Sequence, residues 1–103
     1  MIIDLHEGNF SSVVLNSDVP VLVDFWADWC APCQKLAIVL EDLDQELKGR
    51  AKICKLDVED QVELADFYEI LSIPTLAVFR NGEIDDVLLG VQTKEALKKL
   101  LKL

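Results

Sequence analysis

Val19-Pro20-Val21-Leu22-Val23-Asp24-Phe25-Trp26 is a nearly continuous apolar run interrupted by a single carboxylate. It is too short for a typical helix and rich in β-branched and aromatic residues, so it reads as a central strand covered on both faces. The chain then passes through Ala27-Asp28-Trp29 into Cys30-Ala31-Pro32-Cys33, after which Leu36, Val39, Leu40, Leu43 and Leu47 recur at helical spacing. This spacing predicts an amphipathic helix that starts at the cysteine pair and that Gly49 can end in the left-handed conformation.

Working outward, a second strand is expected over about residues 51–58, with Ile53, Lys55 and Asp57 on one face. Leu64, Phe67, Tyr68 and Leu71 mark a shorter helix. Thr75 to Arg80 and Ile84 to Leu89 flank Asn81-Gly82, a dipeptide that favours the type I′ turn of an antiparallel hairpin. Thr93 is placed to cap a last helix buried through Leu97, Leu100 and Leu101. Upstream, a short strand near Ile2 to Leu5 precedes a helix carrying Phe10, Val13 and Val14. The resulting order, β-α-β-α-β-α-β-β-α, predicts an α/β fold: a mixed central sheet of about five strands flanked by about four helices, in a single domain over residues 1–103.

Composition narrows the class of partner. Nineteen Asp and Glu oppose ten Lys and Arg, giving a net charge of −9 and a pI near 4.4. Such a charge repels phosphate backbones and anionic lipid, so protein or small-molecule partners are expected rather than nucleic acid or a membrane surface. At 51% hydrophobic content a chain of 103 residues buries roughly two-thirds of its unfolded surface, enough for one core without a metal or disulfide staple. Met1-Ile2-Ile3 is followed at once by Asp4 without a basic leader or a long apolar stretch, so the cytoplasm is the expected location.

In a reducing compartment Cys30-Ala31-Pro32-Cys33 reads as redox chemistry or half a metal site. A zinc site needs two further ligands, and only Cys54 and His6 remain. Cys54 is expected to be an inert buried thiol and His6 a surface residue. Cysteines three positions apart at a helix start have Cβ atoms about 5 to 6 Å apart, so a small adjustment closes or opens a disulfide. The unpaired N–H groups of the helix end favour a thiolate on the first cysteine, making Cys30 the nucleophile and Cys33 the resolving thiol. A thiol lowered from about 8.5 to about 7 gains thiolate but loses nucleophilicity, a net advantage of only about threefold. Intramolecular attack by the second thiol, with effective molarities of ~10⁵ M or more, is the larger contribution.

Val23-Asp24-Phe25, then Trp26-Ala27-Asp28-Trp29-Cys30-Ala31-Pro32-Cys33, then Ile73-Pro74-Thr75 and Asn81-Gly82, resemble the thioredoxin family over essentially the whole chain. The resemblance implies a thioredoxin-like fold and protein-disulfide reduction by reversible dithiol–disulfide exchange, with no cofactor or metal. It implies disulfide-containing protein substrates, an upstream thioredoxin reductase and a monomer that carries electrons in cell redox homeostasis. By position, Cys30 matches the attacking cysteine, Cys33 the resolving one and Asp24 the buried aspartate implicated in proton transfer. A carboxylate in an apolar strand is independently expected to titrate high through desolvation. Lys55 matches the lysine beside that aspartate, and Pro74 the cis-proline next to the redox pair. Trp29, Ile73, Gly90 and Val91 match a shallow surface on which an extended peptide docks by strand-like pairing.

Four positions depart from the family's common pattern. Ala31, which with Pro32 stands between the cysteines and tunes their redox balance, replaces a glycine. Ile38 replaces a helix-kinking proline, Gln34 a lysine, and Ser72 a glycine. Two rival readings follow. An oxidase or isomerase often carries histidine where Pro32 stands, and a binding module would support a partner without turnover.

Overall fold

The computed structural model describes residues 1–103. In chain order the elements are β1 (Ile3–Asp4), α1 (Glu7–Phe10) continuing into a π-helical turn (Ser11–Leu15), β2 (Val21–Trp26), α2 (Ala31–Leu47), β3 (Lys52–Asp57), α3 (Val62–Phe67), β4 (Thr75–Arg80), β5 (Glu83–Leu89) and α4 (Lys94–Leu100). The five strands form one sheet in the order β1-β3-β2-β4-β5. The first three are mutually parallel, and β4 runs antiparallel to both β2 and β5. The expected mixed α/β sheet with four helices is therefore present.

Each face of the sheet carries its own apolar layer. Beneath α2 and α4, Leu36, Leu40, Leu43, Leu47 and Leu97 pack on Leu22, Ile53, Leu76 and Val78. On the other face Phe10 and Val14 meet Val23, Phe25, Cys54, Leu56 and Phe79, with Leu64, Tyr68 and Ile70 at the margin. The inner residues of β2 are buried from Val21 to Phe25, which accounts for the absence of polar alternation in that strand.

Local signals account for most boundaries. Thr93 Oγ1 accepts the Ala96 N–H at 3.1 Å and opens α4. Asn81 and Gly82 both adopt positive φ, 54° and 81°, as a type I′ turn requires, and Arg80 pairs with Glu83. A Cβ on Gly82 would lie 2.9 Å from the Leu15 carbonyl oxygen, so this glycine is also required by a close approach.

Several expectations need correction. The left-handed end of α2 begins at Lys48 (φ 50°), one residue before Gly49 (φ 85°). The third helix stops at Phe67, and Glu69 takes a positive φ of 55°, so Leu71 lies outside the helix it was expected to mark; Phe67 and Leu71 are 75% and 96% exposed. His6 is exposed, as expected, and also caps α1: its Nδ1 accepts the Gly8 N–H at 3.0 Å while Asn9 Oδ1 accepts the His6 N–H at 2.8 Å. Ion pairs that the sequence pattern did not signal tie α2 to α4: Asp42 and Glu46 are paired with Lys94 at 2.9 and 3.1 Å, and Glu46 also pairs with Lys98. The hydrogen bonds that Glu46 accepts, from Lys98 first and then from Lys94, hold its carboxyl below the usual range.

Candidate active site

Cys30 occupies the N-cap position of α2, where its Sγ accepts the Cys33 N–H at 3.2 Å. The helix end thus directs an otherwise unpaired backbone donor at this sulfur. Pro32 lies in the first turn, where its missing N–H breaks no helical bond. Cys30 and Cys33 are joined as a disulfide with Cα atoms 5.2 Å apart, within the range that two cysteines bridge without backbone movement. Both sulfur-bearing residues are buried, whereas Ala31 and Pro32 between them face solvent and Trp29 is 68% exposed. Gln34 turns back to donate to the Asp28 carbonyl at 3.1 Å. In α2 the helix runs unbroken through Ile38, whose side chain points to solvent.

Asp24 shares its face of β2 with Leu22, beneath the layer formed by α2, and lies toward the end of the strand from which the chain enters that helix. It is fully buried, and neither carboxylate oxygen has a hydrogen-bond partner. Burial raises its pKa to about 7, against a smaller lowering by the Lys55 ammonium. Asp24 and Lys55 are register partners across β2 and β3. Lys55 is half-buried, and its ammonium lies 4.1 Å from the centroid of the Trp26 ring. That stacking needs three-dimensional register and had no counterpart in the sequence reading.

The Ile73-Pro74 peptide bond is cis. Thr75 pairs with Phe25, so Pro74 stands at the end of β2 from which the chain leaves toward the cysteines. Gly90 N–H donates to the Pro74 carbonyl at 2.9 Å, and Gly90 has a φ of 83° that favours glycine. Val91 beside it is exposed. Trp29 and Ile73 line a shallow depression of about 400 Å³ with Val58, Ile70, Leu71 and Ser72. The sequence reading missed Val58, Ile70 and Leu71; the available signal was apolar residues in a segment too short to bury them all.

Cys54 is fully buried on the opposite sheet face, and burial pushes its thiol up to about 12. No group of three His, Cys, Asp or Glu side chains is arranged to hold a metal ion. The arrangement can make and break one S–S bond at a helix tip, and a buried carboxyl that titrates near neutrality lies on the sheet face that α2 covers.

A family model described as Thioredoxin matches residues 1–103. Among known proteins, the chain is 48% identical over 85 residues to a Bacillus subtilis protein named Thioredoxin, covering 82% of each chain. It is 42% identical over 94 residues to Thioredoxin of Rickettsia felis, covering 91% of this chain and 90% of that protein. It is 41% identical over 96 residues to Thioredoxin 1 of a Nostoc species, covering 93% and 90% respectively.

Proposed function

The chain belongs to the thioredoxin family and is a protein-disulfide reductase working by reversible dithiol–disulfide exchange, and from that premise we propose the division of labour among its residues. Cys30 thiolate attacks one sulfur of a substrate disulfide, forming a mixed disulfide and expelling the other substrate sulfur as a thiolate that takes up a proton. Cys33 gives its proton to Asp24 and attacks the Cys30 sulfur. The bond between Cys30 and the substrate breaks, the second substrate sulfur leaves as a thiolate that takes up a proton, the substrate gains two electrons, and the chain is left with the Cys30–Cys33 disulfide. Family members act on disulfide substrates and are returned to the dithiol by thioredoxin reductase; we assign this chain the same donor.

The observation that supports this reading most is the sulfur pair at the tip of α2, with Cys30 accepting a hydrogen bond from the helix end. A carboxyl that titrates near 7 accepts a proton at neutral pH and returns it without a large barrier. Lys55 opposes the upward shift and keeps Asp24 able to ionise. Trp29, Ile73, Pro74, Gly90 and Val91 present a backbone edge and apolar side chains to an extended substrate. Ala31 and Pro32 tune the balance between the disulfide and dithiol forms. We assign the 103 residues to one domain, acting as a monomer on proteins in the cytoplasm, away from nucleic acid and membrane, in keeping with the −9 charge. No helix is long and apolar enough to cross a membrane.

The direct test is Cys33→Ser with an insulin substrate. The variant should attack but not resolve, so a mixed disulfide through Cys30 accumulates on non-reducing gels. Full turnover without a trapped adduct would remove Cys33 from its assigned step.

A further inference from the structure

The depression beside the redox pair lies in a one-sided electrostatic setting. Between Leu56 and Phe79 the chain carries Asp57, Glu59, Asp60, Glu63, Asp66 and Glu69, and not one Lys or Arg. Glu59 follows Val58 and Glu69 precedes Ile70, so carboxylates adjoin two of the residues that line the depression. Both are exposed, and neither side chain makes a hydrogen bond or ion pair. The acids that do have cationic partners, Asp42, Asp44, Glu46 and Asp85, are all outside this segment. Among the lysines flanking the redox region, Lys35 is on α2, and the Lys55 ammonium lies over the Trp26 ring.

The apolar surface also extends past the redox pair. Ile70, Leu71 and Ser72 are shared with a second groove of about 330 Å³ that reaches Ile84, Val87 and Leu89. Those three β5 residues share a face because they pair with Phe79, Ala77 and Thr75, alternate positions of β4.

We propose that this acid-rimmed apolar strip selects, among protein disulfides, those whose flanking segment places an apolar side chain next to Lys or Arg. The proposal rests on the dithiol–disulfide reading above and names its substrate class. Its occupant follows from charge complementarity. A second copy would bring the same unpaired carboxylates face to face, and an anionic partner would be repelled, whereas a basic segment neutralises them. One unit-charge pair about 7 Å apart in water changes affinity about threefold, and two or three together about tenfold.

The test uses two disulfide-linked peptides identical except that the leucine near the cysteine is flanked by Lys in one and Glu in the other. The readout is the second-order rate constant for oxidation of the pre-reduced chain, followed by tryptophan fluorescence. At about 20 mM salt the Lys peptide should react about tenfold faster, and the ratio should fall below about threefold at 0.5 M salt. Glu59→Lys combined with Glu69→Lys should remove most of the preference while leaving the rate with neutral hydroxyethyl disulfide unchanged. Equal rates for the two peptides, a preference insensitive to salt, or one undiminished in the double variant would overturn the proposal and leave the redox reading intact. A dimer in sedimentation that shields Leu71 would also overturn it. Failure of the reduced chain to react with any of the three disulfides would instead contradict the underlying reading.

Discussion

Cys30→Ser should lower the rate of insulin reduction by about 10³-fold or more, to the level set by the chemical reductant alone. The size of the loss follows from what remains. Cys33 is buried within the helix, and Cys54 is buried on the far side of the sheet with a thiol pushed up to about 12. Neither offers an accessible thiolate at neutral pH. Serine keeps the shape of the N-cap and remains a good acceptor for the Cys33 N–H, so the fold should persist and the loss is chemical rather than structural. Unchanged circular dichroism together with lost turnover is the expected pair of results. Retained turnover would show that another group carries the reaction.

The second large effect concerns stability. The Asp24 pKa is raised from 3.8 to about 7, so between those values the folded chain holds a proton that the unfolded chain has released. Stability from this group is therefore full below about pH 4 and is lost as pH rises through about 7. The shift corresponds to about 4 kcal/mol. Asp24→Asn removes the cost of ionising a buried carboxyl. At pH 8 it should be more stable than the parent by about 2 to 4 kcal/mol, allowing for an amide with imperfect hydrogen bonding. That gain raises the midpoint of thermal unfolding by about 10 °C or more for a chain of this size. At pH 4 the two proteins should differ by no more than about 1 kcal/mol. The same substitution removes the proposed proton acceptor for Cys33 and should slow resolution by up to about 10²-fold at neutral pH. A stability difference independent of pH from 4 to 8 would show that Asp24 is not the buried titrating group described here.

These consequences come from residues whose placement was largely legible in the sequence. The run from Val19 to Trp26 could bury itself only as a central strand, and its single charge marked Asp24 before any geometry was known. The leucine stripe of α2, the Asn81-Gly82 turn and the Thr93 cap are local signals with local causes, and each lies where the chemistry of those residues puts it.

Other features depend on contacts that local patterns do not encode. Leu64, Phe67, Tyr68 and Leu71 have helical spacing, yet spacing only proposes a face; Glu69 with φ 55° ends the helical course and leaves Leu71 exposed. Ile84 and Val87 stand at an odd separation and would alternate faces in a regular strand. The register shift opposite Val78 and Phe79 brings them together. The cis state of Ile73-Pro74 was implied by the family resemblance, because proline alone favours trans. The stacking of Lys55 on Trp26 arises from the pairing of two strands distant in sequence.

The central claim is that the sulfurs of Cys30 and Cys33 exchange one covalent bond reversibly with sulfurs on another molecule. Alkylation followed by mass spectrometry of the native chain, taken through cycles of mild reductant and mild oxidant, tests this most directly. Positions 30 and 33 should become protected from label together on oxidation and reactive together on reduction, with position 54 unlabelled in both states. A chain in which positions 30 and 33 never change their labelling would contradict the account.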